Sequence, residues 1–262
     1  MQDDKLIQQV VEQVQKEIQA KERAAAPASK APFCDLTEFV GTAFGDSVGL
    51  VIANVDDALR QCYGIDSKYR SIGIVGARVG AGPQIMACDE AVKASNTELI
   101  KFELPRDTKG NGGHGSLAIF GAEDVSDARR AVEMTLNALS WTFGDIYMNE
   151  AGFVELQYTA RASYALSNYF KAPLGKAWGL SVGCPASVGV VMADAAVKSA
   201  NVEILMHATP ALNTSHSNEF MIMITGDSGA VKQAIIAARE MGRRILRGMG
   251  DETVSLQKPY IL

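Results

Sequence analysis

Residues 88–100, CDEAVKASNTELI, return in the second half of the chain as residues 193–205, ADAAVKSANVEIL. A constant offset aligns Asp89 with Asp194, Ala91 with Ala196, Val92 with Val197, Lys93 with Lys198, Asn96 with Asn201 and Glu98 with Glu203. The same offset continues to Pro105 with Pro210, Ile119 with Ile224 and Gly121 with Gly226, and no gap is needed between positions 87 and 121. One matching helix would be generic. A match that persists through a helix, a strand, a loop and a second strand marks a duplicated domain.

The repeated unit can be read physically. Residues 71–75, SIGIV, are a short apolar run that predicts a buried strand. Residues 76–83 form a Gly-rich turn. Residues 84–95 predict a helix that buries Ile85, Cys88, Ala91 and Val92, with small residues for close packing and Asn96 at its end. A strand over 97–104 stops at Pro105, another spans 117–120, and a helix over 124–139 starts at Asp124 or Ser126 as cap. The second copy predicts strands at 177–183, 202–206 and 220–225 and helices at 187–200 and 228–246. Each copy is preceded by a strand and a helix, at 36–42 and 55–63, then at 153–158 and 161–170. The expected fold class is therefore α/β, an α+β sandwich of two tandem domains, 36–147 and 148–262, each of ordinary size.

Ahead of them, Ile7, Val11, Val14 and Ile18 recur at helical spacing, and residues 21–32, KERAAAPASKAP, read as a flexible tether. Such a helix is either a frayed tail or a segment that docks on a partner protein.

Bulk properties exclude several functions. The 262 residues are 47% hydrophobic and 21% charged, enough to fill cores, and the net charge of −5 argues against nucleic acid as a partner. Cys34, Cys62, Cys88 and Cys184 lack zinc or CxxC spacing and read as free thiols. The acidic, Gln-rich start does not resemble a signal peptide, and no apolar run approaches the roughly 20 residues of a membrane span. A cytoplasmic protein is expected.

The segments Ala87–Leu99 and Ala193–Leu205, followed by IFGAEDVSDARRAVE and ITGDSGAVKQAIIAARE, resemble the bacterial microcompartment shell domain. Two copies, each with its strand–helix element placed first, resemble the circularly permuted tandem type. Stretches such as LTEFVGTAFGDSVGLVIANVD, YRSIGIVGARVGAGP and FGDIYMNEAGFVE are similar to its propanediol-utilisation members, from Leu36 to the C-terminus. The resemblance implies ferredoxin-like domains and a homotrimer forming a pseudo-hexameric disc. It implies discs that tile with other shell proteins around encapsulated enzymes, no catalysis, and no cofactor. It also implies pores for small diols or glycerol, and an N-terminal segment, 1–20, that fastens enzymes to the shell.

Two glycine clusters supply candidate pore or ligand-binding positions. Gly80, Ala81 and Gly82 close the turn GARVGAG at 76–82, whose spacing is not GxGxxG and contains no P-loop. A tight turn with close backbone approach accounts for these glycines; in the resembled family the loop lies near a small channel within each subunit. KGNGGHGS at 109–116 contributes Gly112, Gly113, His114 and Ser116, and its counterpart at 209–218 contributes Thr214, Ser215, His216 and Ser217. Their hydroxyl, amide and glycine groups suit a neutral polyol better than an anion, and ordinary surface loops are the alternative. Asp46 reads as a surface or capping acid, or as a channel residue.

No histidine has a partner at i+3 or i+4, so no metal spacing exists, and no GxSxG elbow is present. Lys93 and Lys198, with Asn96 and Asn201, fall near the ends of equivalent helices. A solvated lysine at a helix C-terminus explains them, whereas the resemblance implies tile edges. The competing functional class is a small-molecule sensor with its ligand between duplicated domains.

Overall fold

The computed structural model describes residues 36–105, 115–209 and 218–262. The helix and tether expected before residue 36 lie outside the described residues.

The first half opens with a hairpin, β1 (Phe39–Ala43) and β2 (Ser47–Ile52), then a short helix α1 (Asp57–Tyr63). Next come β3 (Ser71–Ala77), α2 (Gly82–Ala94), β4 (Glu98–Glu103), β5 (Ser116–Ala122) and α3 (Val125–Thr142). The second half repeats this order as β6 (Ile146–Asn149), β7 (Gly152–Thr159), α4 (Tyr164–Phe170), β8 (Ala177–Cys184), α5 (Ala186–Ser199), β9 (Val202–Ala208), β10 (Phe220–Gly226) and α6 (Ser228–Met249), with a short β11 (Val254–Ser255) at the end. Two antiparallel sheets result, ordered β1-β2-β3-β5-β4 and β11-β6-β7-β8-β10-β9. A boundary after Tyr147 falls inside β6, whose register against β7 runs from Ile146↔Glu155 to Asn149↔Gly152. The chain changes sheet at residues 143–145, between α3 and β6.

Each sheet carries its two long helices on one face, and glycine sets how closely they approach. A Cβ on Gly73 of β3 would lie 2.7 Å from Ala128 O and from Val132 in α3. A Cβ on Gly179 of β8 would lie 2.7 Å from Ile235 in α6. The short helices also match. Asp56 and Ser163 cap α1 and α4 by accepting from Ala58 N and Ala165 N, and both helices end in a left-handed residue, Gly64 (φ 66°) and Lys171 (φ 56°).

Three kinds of core follow. Val75, Leu99, Phe120 and Val132 fill the first half beneath α2 and α3. Leu156, Met192, Ile224, Ile235 and Leu246 fill the second beneath α5 and α6. A third cluster joins the halves: Ile85 and Met86 of α2 pack with Leu166 of α4 and with Trp178, Leu180 and Val182 of β8. These β8 residues alternate with those facing α6, so β8 is buried on both faces.

The last residues are fastened to the second half. Asp145, fully buried, accepts from Tyr260 N (2.8 Å), Ile261 N (2.9 Å), Tyr147 Oη (3.2 Å) and Arg239 Nη1 (3.1 Å). Arg239 also donates to Ile261 O (2.6 Å), while Tyr260 packs edge-on against Trp141 and donates to Gln157 Oε1 (2.8 Å). A buried carboxylate is tolerable when its lone pairs are satisfied this fully. Burial, then the neighbouring Asp145 charge, pushes the Tyr147 phenol up to about 12.

Candidate functional site

The turn between β3 and α2 is held in place by its neighbours. Val79 N donates to Gly45 O in the β1–β2 turn (3.2 Å), and Gln84 Nε2 donates to Val79 O (2.9 Å). Gly80 adopts φ 79°, open to glycine at little cost. Gly82 is close-packed for a different reason: a Cβ there would fall 1.8 Å from Glu155 Oε1 and 2.8 Å from Leu180 Cδ2, so these side chains would have to move to admit one. The first turn of α2 is thus pressed directly onto the second sheet.

Beside this contact lies a cavity of about 180 Å³. Val79–Gly82 and Ile85 form its first-half wall, and Phe153, Leu180, Val182, Met221 and Met223 form an apolar second-half wall. Glu155 and Glu219 place carboxylates on it, and Leu104 and Thr209 complete its lining. Leu104, Thr209 and Glu219 flank in sequence the two segments, 106–114 and 210–217, that fall outside the described residues. The arrangement, an apolar pocket with few acceptor groups, suits a small molecule with both carbon surface and hydroxyls. Elsewhere a dry cavity of ~150 Å³ is enough for benzene, so volume does not bar a ligand of that size.

The sequence candidates separate on this geometry. Gly80, Ala81 and Gly82 line the cavity. Asp46 is exposed (φ 50°), in the β1–β2 turn that holds their loop. Ser116 is buried at the start of β5. Gly112, Gly113, His114, Thr214, Ser215, His216 and Ser217 lie outside the described residues. Glu155, Phe153 and Leu180 had no local signal, because the opposite half brings them to the loop. No group of three or more His, Cys, Asp or Glu residues could hold a metal among the described residues.

The paired lysines and asparagines also part company. Lys93 reaches across the junction of the halves, its side chain 30% exposed: its Nζ contacts Asp89 Oδ2 (2.5 Å), Glu90 Oε1 (2.9 Å) and Thr159 Oγ1 (3.1 Å). Burial lowers its pKa, but Asp89 and Glu90 more than offset this, and the net direction is up. Asp89 itself crosses to the second half, accepting from Ser163 N at 2.8 Å. Lys198 is exposed and paired with the equally exposed Asp194 (2.7 Å). Asn96 Nδ2 lies 3.5 Å from Asp127 Oδ2, and Asn201 borders a shallow surface hollow with Glu203 and Asp227.

Comparison with known proteins places this architecture. The family model described as "BMC domain" matches twice, at residues 71–149 and 177–255. Each match starts at the strand after a short helix, β3 or β8, and ends with β6 or β11. The compact halves start earlier, at β1 and β6, so the order within each is circularly permuted relative to the family unit. The bacterial microcompartment shell protein PduB of Citrobacter freundii is 55% identical over 270 residues, covering 100% of both chains. The crystal structure of a trimeric bacterial microcompartment shell protein PduB is 50% identical, with TM-score 0.82 over 86% of this chain and 100% of its own. EtuB from Clostridium kluyveri is 52% identical, with TM-score 0.83 over 87% and 100%.

Proposed function

The chain belongs to the BMC-domain family of bacterial microcompartment shell proteins, and on that premise we propose that it works as a homotrimeric tile. As a structural shell protein it is not an enzyme, and no helix among the described residues is long and apolar enough to cross a membrane. Three chains, each of two domains, make a disc of six similar units. Discs join edge to edge, and with other shell proteins enclose enzymes. The single observation that carries the reading is the duplication itself: two like domains per chain give a three-chain ring edges that repeat all round.

The cavity between the halves is the proposed route or resting place for a small neutral metabolite, a diol or glycerol. Its apolar wall accepts the carbon skeleton, and Glu155 and Glu219 accept hydroxyl hydrogens. Segments 106–114 and 210–217, with Gly112, Gly113, His114, Thr214, Ser215, His216 and Ser217, are proposed to serve the same passage. Lys198 and Asn201 are proposed tile-edge groups; Asn96 joins them, whereas Lys93 is committed to the junction. Residues 1–20 are proposed to tether encapsulated enzymes.

Light scattering followed by electron microscopy tests the assembly. A three-chain mass and flat sheets on concentration are expected; a single-chain mass at every concentration would sink the reading. Calorimetry with 1,2-propanediol and glycerol, on wild type and Leu180→Trp to fill the cavity, tests the passage: the substitution is expected to abolish a weak binding signal.

A further inference from the structure

The floor of the cavity is one row of residues that crosses the second sheet from edge to edge. Glu155 of β7 pairs with Ile146 of β6 on one side and with Val182 of β8 on the other. Val182 pairs in turn with Met221 of β10, and Met221 with Ala208 of β9. All five line the cavity. The row goes on past β6. Ser255 of β11 stands opposite Tyr147, so Leu256 stands opposite Ile146, and its N–H donates to Ile146 O at 3.1 Å. Leu256 lines the cavity too. Adjacent strands lie ~4.8 Å apart, so the row from Ala208 to Leu256 spans ~24 Å.

Leu256 closes that row on the outermost strand. It is 36% exposed, so part of its side chain touches the cavity and part touches solvent. The backbone that carries it is fixed. Ser255 Oγ donates to Gly144 O (2.6 Å), and Gly144 is pressed against Lys258 O, where a Cβ would fall at 2.1 Å. Further on, Tyr260 N and Ile261 N are held by Asp145. The same clamp sets the roof: Phe143, one residue before Gly144, lines the cavity and packs edge-on against Phe44. A side chain at a solvent boundary changes rotamer in picoseconds to nanoseconds, while a backbone held in this way stays put.

We infer that Leu256 is the gate of the cavity at the β11 edge: its side chain, swinging on a strap that stays latched, sets how fast a small neutral solute enters and leaves. The inference rests on the reading of the cavity as a passage. The residue type fits the task. A leucine closes the mouth with apolar surface, opens without breaking a hydrogen bond, and offers no charge to hold a diol at the rim. The first half has no equivalent, because among the described residues its sheet ends at β1 with no strand outside it.

Three methionines in the cavity wall, Met148, Met221 and Met223, supply the readout. With their methyl groups isotope-labelled in the full chain, titration with 1,2-propanediol is expected to shift all three magnetic-resonance signals. Relaxation dispersion then gives the rate of exchange. Leu256→Ala is expected to speed exchange about tenfold and Leu256→Trp to slow it about tenfold. Affinity should change less than rate in both, because a gate alters entry and exit together. Circular dichroism is expected to match wild type, since the position is partly exposed. If propanediol shifts the methyl signals but both variants exchange within about twofold of wild type, Leu256 is not the gate and the passage reading stands. The gate is equally wrong if affinity changes while the entry rate does not, the mark of a mere wall residue. If no methionine signal moves at any propanediol concentration, the passage reading falls and the gate with it. Should one variant fail to fold, the exchange rate of the other still decides.

Discussion

The two halves share an order of elements but close their structures differently. The first gives pieces away: α2 packs on the second sheet, and β6, the last strand of the first family match, pairs in the second sheet with β7. The second keeps its own: β11, the corresponding strand, pairs with β6, and the residues after it are fastened by Asp145 and Arg239. Duplication thus repeated a pattern of elements without repeating a pattern of burial. What lies beside a helix, more than its own residues, decides how much of it is core.

The largest test of this contrast is at the fastening point. Asp145→Ala takes one carboxylate partner from Arg239 and strands two backbone N–H groups, and breaking a buried pair costs ~3–5 kcal/mol. Urea unfolding is expected to show a loss of that order. A change below ~1 kcal/mol would mean the tail does not close the second half. Next, Leu166→Ala removes a junction core side chain and is expected to cost ~2–5 kcal/mol. Leu59→Ala, its exposed counterpart on α1, should stay within ~0.5 kcal/mol when measured at a dilution that separates chains; equal costs would erase the distinction between covered and bare surfaces.

A smaller comparison concerns the left-handed ends of α1 and α4. Gly64→Ala puts a Cβ at φ 66° and is expected to lose ~1 kcal/mol, whereas Lys171→Gly relieves φ 56° and is expected to gain a similar amount. Thermal melts of both variants would show opposite shifts. The smallest effect in free energy is the clearest in chemistry. Substituting Lys198 by Ala should change stability by under ~1 kcal/mol, as for most exposed ion pairs, but amine acylation followed by peptide mapping should modify Lys198 well before Lys93. Lys93 is less exposed and held by three partners, and its raised pKa leaves less neutral amine. Equal labelling would contradict the clamp by Glu90 and Thr159.

The duplication, the order of the longer elements and the glycine turn at 76–82 were all legible, because period, apolar runs and glycine each have local causes. Short strands were not. β2 follows a turn with two positive-φ residues, Gly45 and Asp46, β6 has four residues and β11 two, too few for periodicity to register. The family resemblance correctly indicated shell domains. The cavity was half legible: its glycines announced themselves, while Glu155, Phe153 and Leu180 reach it only through tertiary structure. Sequence equivalence also made Lys93 and Lys198 look alike. The one local warning was Glu90 opposite Ala195, a partner present in one copy and missing in the other.

The junction has an optical consequence. The chain holds two tryptophans. Trp178 is sealed inside the cluster that joins the halves, and Trp141 stands edge-on to Tyr260 with its ring against the same cluster. Ultraviolet-excited indole emission from this protein therefore originates wholly at the seam and its neighbouring strap. A red shift on dilution, heating or insertion into a larger lattice would signal that the seam has opened to water, and no dye is needed to see it.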